Sequence, residues 1–209
     1  MTVASVASGL SLAALVFLLL PTARLPVRYR LLLLAGLLAA TLIPLGTGLS
    51  LAHYLRGLTD ELSMVTLLWL LACVGCTLGW LPRWSQAHAW QLWSIFALLG
   101  VVLYPAAMGV GMVDSYGWGY APRMLIALIG LLTLGLLLLG NLLGVALLTL
   151  TSLGFMLGLK TSDNYWDYLL DPFVVLYSAG ALVAQLVVGL LSLRRRLMTR
   201  GHQLDGRLD

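Results

Sequence analysis

The sequence predicts an all-α protein, a polytopic bundle of seven transmembrane helices with its N-terminus outside the cell and its C-terminus in the cytoplasm. Of the 209 residues, 61% are hydrophobic and 10% are charged. Because a soluble domain carries about a quarter charged residues, this composition excludes an ordinary soluble globular domain. Apolar runs of membrane-spanning length recur along the chain, and basic residues gather on one side of them. Two cysteines exclude a disulfide-based scaffold.

The first four apolar runs predict four spans. A helix rises about 1.5 Å per residue and the hydrocarbon core of a bilayer is about 30 Å thick, so a span needs roughly 17 to 25 apolar residues. Runs of this length cover residues 3–20, 31–51, 62–81 and 90–110. Pro21 and Pro82 follow the first and third runs. Proline ends a helix because it has no amide hydrogen to donate.

The apolar stretch 121–159 predicts two spans, and a final run predicts the seventh. Residues 121–159 carry Arg123 as their only charge and are about twice as long as one crossing requires. Gly140 and Asn141 are turn-forming residues near the middle of this stretch. The seventh run, residues 173–193, ends at three consecutive arginines. A short interfacial helix is expected in the polar segment just before it.

The charge distribution predicts the orientation, because Lys and Arg near the ends of spans are retained in the cytoplasm. With the N-terminus outside, the cytoplasmic segments hold nine of the twelve basic residues and two of the eight acids, a charge of +7. The outer segments hold three basic residues and six acids, a charge of −3. The residues expected to determine the topology are Arg194, Arg195 and Arg196. If residues 121–159 crossed the membrane only once, these arginines would lie on the same side as the acidic loops.

The predicted location is the plasma membrane, which is the inner membrane of a bacterium. The chain is expected to form one transmembrane helical domain, residues 1–193, followed by a basic cytoplasmic tail, residues 194–209. Because no Lys or Arg precedes Arg24, a cleavable secretory signal is not predicted. The net charge of +4 does not indicate nucleic-acid binding, since the basic residues form no folded basic surface. The expected partner is the lipid bilayer.

The segment 160–172 is the strongest candidate site in the predicted outer loops. At about 100° per helical residue, Asp163, Asp167 and Asp171 fall within about 80° of one another, while Trp166 lies on a separate apolar face. This pattern predicts an amphipathic helix with a ridge of three carboxylates, suited to a cation, a sugar-like hydroxylated group or a partner protein. The alternative is that these polar residues are only solvated at the membrane interface and bind nothing. Asp171, which precedes a proline, is also typical of a helix N-cap.

A second outer loop, residues 114–123, combines three aromatic residues with an acid and an arginine. Arg123 would begin the fifth span, where the helix dipole disfavours a cation. We therefore expect it to pair with an aspartate and tie the two loops together; the possible partners are Asp114, Asp163, Asp167 and Asp171. The alternative is that the aromatic residues only anchor the chain at the interface. The candidate binding residues of the two loops are Asp114, Tyr116, Trp118, Arg123, Asp163, Tyr165, Trp166, Asp167 and Asp171.

Two further outer residues are weaker candidates. His53 could join the outer acids, while Glu61 is also typical of the first turn of a helix. Cys73 and Cys76 form a CxxC inside the third span, where no ionised neighbour lowers a thiol pKa, so the pattern favours packing over redox chemistry. Three scattered histidines predict no metal site, and no cofactor is expected. The middle of each predicted span lacks charge, which argues against transport through an ionised pathway.

Two classes of function remain open. The first is a non-catalytic partner or scaffold subunit, whose acidic, aromatic outer face would bind another membrane or periplasmic protein. The second is a membrane-embedded enzyme or carrier that handles a lipid-linked or sugar-containing substrate at the outer boundary. An enzyme would need two carboxylates, or one carboxylate and His53, converging beneath a pocket. Because no catalytic motif is present, the sequence favours the non-catalytic class.

Overall fold

A computed structural model describes residues 3–46, 48–110 and 114–205, with the side chains of Thr59 and of residues 193–205 excepted. The helices of the described residues are α1 (Val3–Leu19), α2 (Val27–Leu42), α3 (Leu51–Thr59), α4 (Met64–Leu78), α5 (Gln86–Ala107), α6 (Arg123–Leu138), α7 (Leu142–Met156), α8 (Trp166–Leu169) and α9 (Pro172–Asp205). Short 3-10 turns cover Thr22–Arg24 and Tyr116–Gly119. The predicted all-α class is confirmed.

Two of these helices are long and apolar enough to cross a membrane. They are α5, with 22 residues, and the segment Pro172–Ser192 of α9, with 21 residues. The apolar helices α1, α4, α6 and α7 have 15 to 17 residues. At about 1.5 Å per residue, a helix of this length covers roughly 24 Å, which is less than the hydrocarbon core of a typical bilayer.

The predicted second run, 31–51, is wrong at both ends. Helix α2 begins at Val27 and ends at Leu42, because Ile43 is extended (φ −66°, ψ 128°) ahead of Pro44. A residue before proline disfavours the helical region for steric reasons. The chain then pairs Pro44 with Ser50 in an isolated antiparallel bridge. It continues as α3, a helix that the sequence analysis missed.

The predicted turn at Gly140 and Asn141 is confirmed. Gly140 adopts φ 72°, in the left-handed region that favours glycine. The Asn141 side chain caps α7, its Oδ1 atom accepting a hydrogen bond from the Gly144 amide at 3.0 Å. Its Nδ2 atom donates to the His88 carbonyl oxygen at 3.0 Å and to Gln91 Oε1 at 2.8 Å. Asn141 therefore ties the α6–α7 turn to the start of α5.

The buried side chains form two apolar clusters. The larger one lies between α4, α5, α6, α7, α8 and α9 and includes Trp69, Phe96 and Leu148. The smaller one packs α1 against α4 through Phe17 and Val74, with leucines of α2 beside them. Helices α1 to α3 thus form a group that attaches to the rest of the bundle mainly through α4.

Helix α9 packs against α5 along its first turns and is largely exposed beyond them. At Gly100 of α5, a Cβ atom would collide with Val175, so the glycine permits the close approach. Farther along α9, Leu186 and Leu190 are exposed apolar residues. The helix continues without a break from the predicted transmembrane domain into the predicted tail. Arg195 lies on it about 35 Å from Asp171, and the helix continues beyond it to Asp205.

Candidate functional site

Most of the candidate residues lie at one end of the bundle, which we call the polar end and define as residues 56–63, 114–120 and 160–171. Lys160 is central to it. Its Nζ atom donates to the carbonyl oxygens of Glu61 at 2.9 Å, Leu62 at 3.0 Å and Asp167 at 2.7 Å. Burial lowers the pKa of Lys160, and the nearby carboxylates, Asp167 first, oppose that shift. The hydrogen bonds of the ammonium group therefore connect the segment before α4 to α8.

Glu61 and Arg56 form an ion pair beside Lys160. Arg56 Nη2 lies 3.0 Å from Glu61 Oε1, and the Glu61 side chain is only 7% exposed. Glu61 also accepts a hydrogen bond from the Thr161 hydroxyl at 3.2 Å. The Nε atom of Arg56 is buried and has no partner among the described residues. Glu61 is thus engaged by its neighbours, whereas the arginine keeps one buried donor.

Asp171 joins the N-termini of two helices. Its Oδ1 atom accepts a hydrogen bond from the Val174 amide at 2.8 Å, and its Oδ2 atom accepts one from the Ser63 amide at 2.8 Å. The expected N-cap of α9 is therefore present, and the same carboxylate also binds the start of α4. A negative charge is favourable at both positions because helix N-termini present unpaired amide hydrogens.

The predicted ridge of three carboxylates is wrong. Helix α8 covers only Trp166–Leu169, and Leu170 is extended (φ −132°, ψ 143°), which breaks the helical phase that the ridge required. Asp163 is exposed, and Asp171 is buried. Asp167 is half-buried and accepts a hydrogen bond from the Ser162 hydroxyl at 2.5 Å. A short helix does precede α9 as expected, but its three aspartates lie in three different environments.

The two aromatic loops lie against each other, as predicted. The indole Nε1 of Trp166 donates to the Ser115 carbonyl oxygen at 2.8 Å, and the Asn164 side chain donates to the Tyr116 carbonyl oxygen at 3.2 Å. A Cβ atom at Gly119 would overlap the Asn164 side chain. Asn164, Trp166 and the intervening Tyr165 are almost completely buried. Tyr165 and Trp166 are thus part of the core. They neither anchor the chain at an interface nor form an exposed binding surface.

The expected ion pair of Arg123 is not formed. Arg123 is exposed at the start of α6 and bonds none of the four aspartates proposed as partners. Asp114, for example, accepts a hydrogen bond from the Gly117 amide at 2.8 Å instead. Because solvent screens an exposed charge, the unfavourable position at the helix N-terminus costs little. The loops are held together by buried hydrogen bonds to backbone carbonyls.

A set of exposed residues remains around the loop before α6, and we call it the aromatic patch. Its members are Asp114, Trp118, Tyr120, Arg123 and Asp163. Trp118 is 46% exposed and Tyr120 is 61% exposed. Behind them, Tyr116 packs edge-on against Tyr120, with ring centroids 5.9 Å apart. Burial, together with the charge of Asp167, raises the pKa of Tyr116 to about 12.

His53 contacts two serines. Its Nδ1 atom lies 2.8 Å from Ser50 Oγ, and its Nε2 atom lies 3.3 Å from Ser5 Oγ. Both serines are buried, while the histidine is exposed. The imidazole therefore links the start of α3 to α1. Sequence reasoning had no signal for this contact, because Ser5 is 48 residues away.

Two cavities open beside α1. The larger, about 630 Å³, lies between α1, α4 and α9 and has Trp69, Cys73 and Tyr177 among its lining residues. The smaller, about 310 Å³, lies between the first half of α1 and the start of α4, and Glu61 and Lys160 line it. Both cavities are lined mainly by aliphatic side chains. Cys73 and Cys76 are free thiols.

The structural role of Lys160 was missed at the sequence level, where it was counted only as an outer charge. One signal was present, since it is the single lysine beside eleven arginines. A compact ammonium group with three hydrogens suits three converging carbonyls, whereas the planar guanidinium group of arginine does not.

No protein-family model, curated protein or solved structure matches the chain. Within the described ranges, groups of three or more His, Cys, Asp or Glu suited to a metal ion do not occur. What the arrangement offers is a set of rigidly joined loops, an exposed aromatic patch and an apolar groove along α1.

Proposed function

We propose that the protein is a multi-pass membrane protein with seven spans, formed by α1, α2, α4, α5, α6, α7 and α9. The polar end would face outwards and the triple arginine the cytoplasm of a bacterial cell. Exposed apolar residues support this proposal, among them Leu138 at 81% and Met124 at 80%. Such surface is unfavourable in water and neutral in lipid. The shorter helices can be accommodated by local thinning of the bilayer.

The proposed topology can be tested by cysteine labelling. In a chain with both native cysteines replaced, Asp163→Cys should react with a membrane-impermeant maleimide added to spheroplasts. A cysteine at position 205 should react only after the membrane is permeabilised. Labelling of both positions from outside, or of position 205 alone, would contradict the proposed orientation.

We further propose a non-catalytic function, in which the rigid polar end presents the aromatic patch to another membrane or periplasmic protein. One observation carries this proposal: Lys160 and Asp171, the ionisable groups that join the loops to the helices, are engaged in structural bonds. Lys160 donates to three carbonyl oxygens, and Asp171 accepts from two amides. Trp118 and Tyr120, in contrast, remain exposed. Tyr, Trp and Arg are the residue types that most often contribute to protein interfaces.

Site-specific photo-crosslinking in cells would test the partner proposal. With benzoylphenylalanine at position 118 or 120, we expect a protein adduct of the same mass at both positions. The matched control is position 138, an exposed site at the other end of α6, where only lipid should be captured. The Trp118→Ala, Tyr120→Ala double variant should no longer co-purify with that protein. Adducts that do not differ between the patch and position 138 would contradict the proposal.

The enzyme or carrier alternative rests on a different observation, which is that Glu61 and Lys160 line the smaller cavity together. A carboxylate and an amine beside a cavity are suited to general acid–base chemistry. If this function is correct, Glu61→Gln should fail to rescue a deletion strain although the variant folds and reaches the membrane. If the polar end is only structural, the folded variant should rescue as well as wild type.

A further inference from the structure

We infer that the larger groove holds one acyl chain of an outer-leaflet phospholipid, with the lipid phosphate at Arg56. This inference rests on the proposed membrane placement. The groove is bounded by α1, α4 and α9 and is lined almost entirely by apolar atoms. On the α4 side it extends from Leu62 to Cys73, a distance of roughly 16 Å. That is about half of the hydrocarbon core, and therefore the depth of one leaflet.

The position of the groove relative to the polar end supports the same occupant. Leu62, at one end of the groove, directly precedes the first residues of α4, and its carbonyl oxygen accepts a hydrogen bond from Lys160. Cys73, at the other end, lies beyond the middle of α4, and Tyr177 lies in the second turn of α9. An acyl chain entering from the polar end would thus run from the headgroup region towards the centre of the bilayer.

The second observation is a partly exposed arginine beside the mouth of the groove. Leu55 and Leu62 line the groove, and the residues next to them, Arg56 and Glu61, form the ion pair. The Nε atom of Arg56 is buried with no partner among the described residues. The Arg56 side chain as a whole is 28% exposed, so the rest of its guanidinium group can meet an acceptor from outside the chain. Phosphate oxygens are acceptors that arginine binds with high specificity, because the guanidinium group donates several parallel hydrogens.

The charges at the mouth favour a phospholipid with a zwitterionic headgroup. Arg56 supplies a donor for the phosphate, and Glu61 lies beside it. Asp60, which immediately precedes Glu61, is exposed, so this segment of the chain also carries negative charge. A headgroup with several negative charges would be repelled by these acids, whereas the ammonium group of phosphatidylethanolamine would be attracted.

Binding to the purified, delipidated full-length protein in detergent tests the inference. The two probes are dioleoylphosphatidylethanolamine and dioleoylglycerol, which share their chains and differ in the phosphate headgroup. Native mass spectrometry should detect one phospholipid per chain, bound about tenfold more tightly than dioleoylglycerol. Leu15→Trp fills the groove and should lower the affinity at least about tenfold. Leu128→Trp is the matched control, since both leucines are similarly exposed, at 45% and 43%.

Arg56→Gln tests the phosphate contact separately. This variant should bind the phospholipid and dioleoylglycerol equally, whereas the control Arg123→Gln should keep the wild-type preference. Equal binding by Leu15→Trp and Leu128→Trp would overturn the inference, as would a phosphate preference that survives in Arg56→Gln. A dimer that Leu15→Trp abolishes, without a bound lipid, would also overturn it. If the maleimide labelling contradicts the membrane topology, both proposals fail. If the labelling agrees with the topology and the lipid-binding results are negative, only the lipid site is overturned.

Discussion

Asp171 and Ser63 are 108 residues apart in sequence, yet the carboxylate of one accepts the amide hydrogen of the other at 2.8 Å. The same carboxylate caps α9 through Val174. Because α4 and α9 begin at this shared group, the polar end has a fixed geometry. Asp171→Ala should therefore lower the free energy of unfolding by about 3 kcal/mol, since two charge-assisted hydrogen bonds are lost.

Thermal unfolding in detergent would measure this effect. Asp163→Ala is the control because Asp163 is exposed, and it should change stability by less than about 0.5 kcal/mol. Asp171→Asn should be intermediate, as the amide keeps one oxygen acceptor. Equal melting temperatures for the two alanine variants would contradict the double-capping role.

Lys160→Met should destabilise the protein by about 2 kcal/mol, because three carbonyl oxygens lose their shared donor. Lys160→Arg should not restore the loss, since a planar guanidinium group does not fit three carbonyls that converge on one nitrogen. Exposed Arg123 provides the control: Arg123→Met should leave the melting temperature nearly unchanged. A fully stable Lys160→Arg variant would disprove the requirement for an ammonium group.

The stability of the wild type should depend on pH through Lys160. Burial lowers the pKa of this residue from 10.5. Between the lowered pKa and 10.5, the unfolded chain binds a proton that the folded chain has lost, so the free energy of unfolding rises with pH in that window. The cost of burying the charge is fully present below the lowered pKa. Melting temperatures of wild type relative to Lys160→Met should therefore rise as pH approaches 10.5; a constant difference would contradict the shift.

Two glycines should respond to alanine substitution with opposite signs. Gly119→Ala would force apart the two aromatic loops, because its Cβ would overlap Asn164, and should cost roughly 2 to 3 kcal/mol. Gly130 lies within α6 with open space around it, and Gly130→Ala should stabilise by up to about 1 kcal/mol. Chemical unfolding would measure the change in the free energy of unfolding for each variant. A destabilised Gly130→Ala together with a neutral Gly119→Ala would contradict the packing of the loops.

Local features of the sequence were sufficient to predict several elements. Composition predicted the all-helical class. Gly140 and Asn141 predicted the turn between α6 and α7, because a left-handed glycine and a capping asparagine act within one turn. Asp171 before a proline predicted the cap of α9 for the same reason. The end of α2 is also encoded locally, since Pro44 disfavours a helical residue before it, although the apolar run concealed this signal.

The sequence by itself thus determined the helical class, the turn before α7, the cap of α9 and the overall hydrophobicity. Only the tertiary structure decided which polar residues meet. Lys160 binds a carbonyl oxygen 99 residues away, and Asn164 binds one 48 residues away. The sequence around Trp166 would look the same whether this residue anchored the chain at a membrane surface or filled a core. Its burial depends on the loop at Ser115, which packs against it. The physical reason is that periodicity and capping act within a few residues, whereas burial and hydrogen-bond pairing depend on chain segments that only folding brings together.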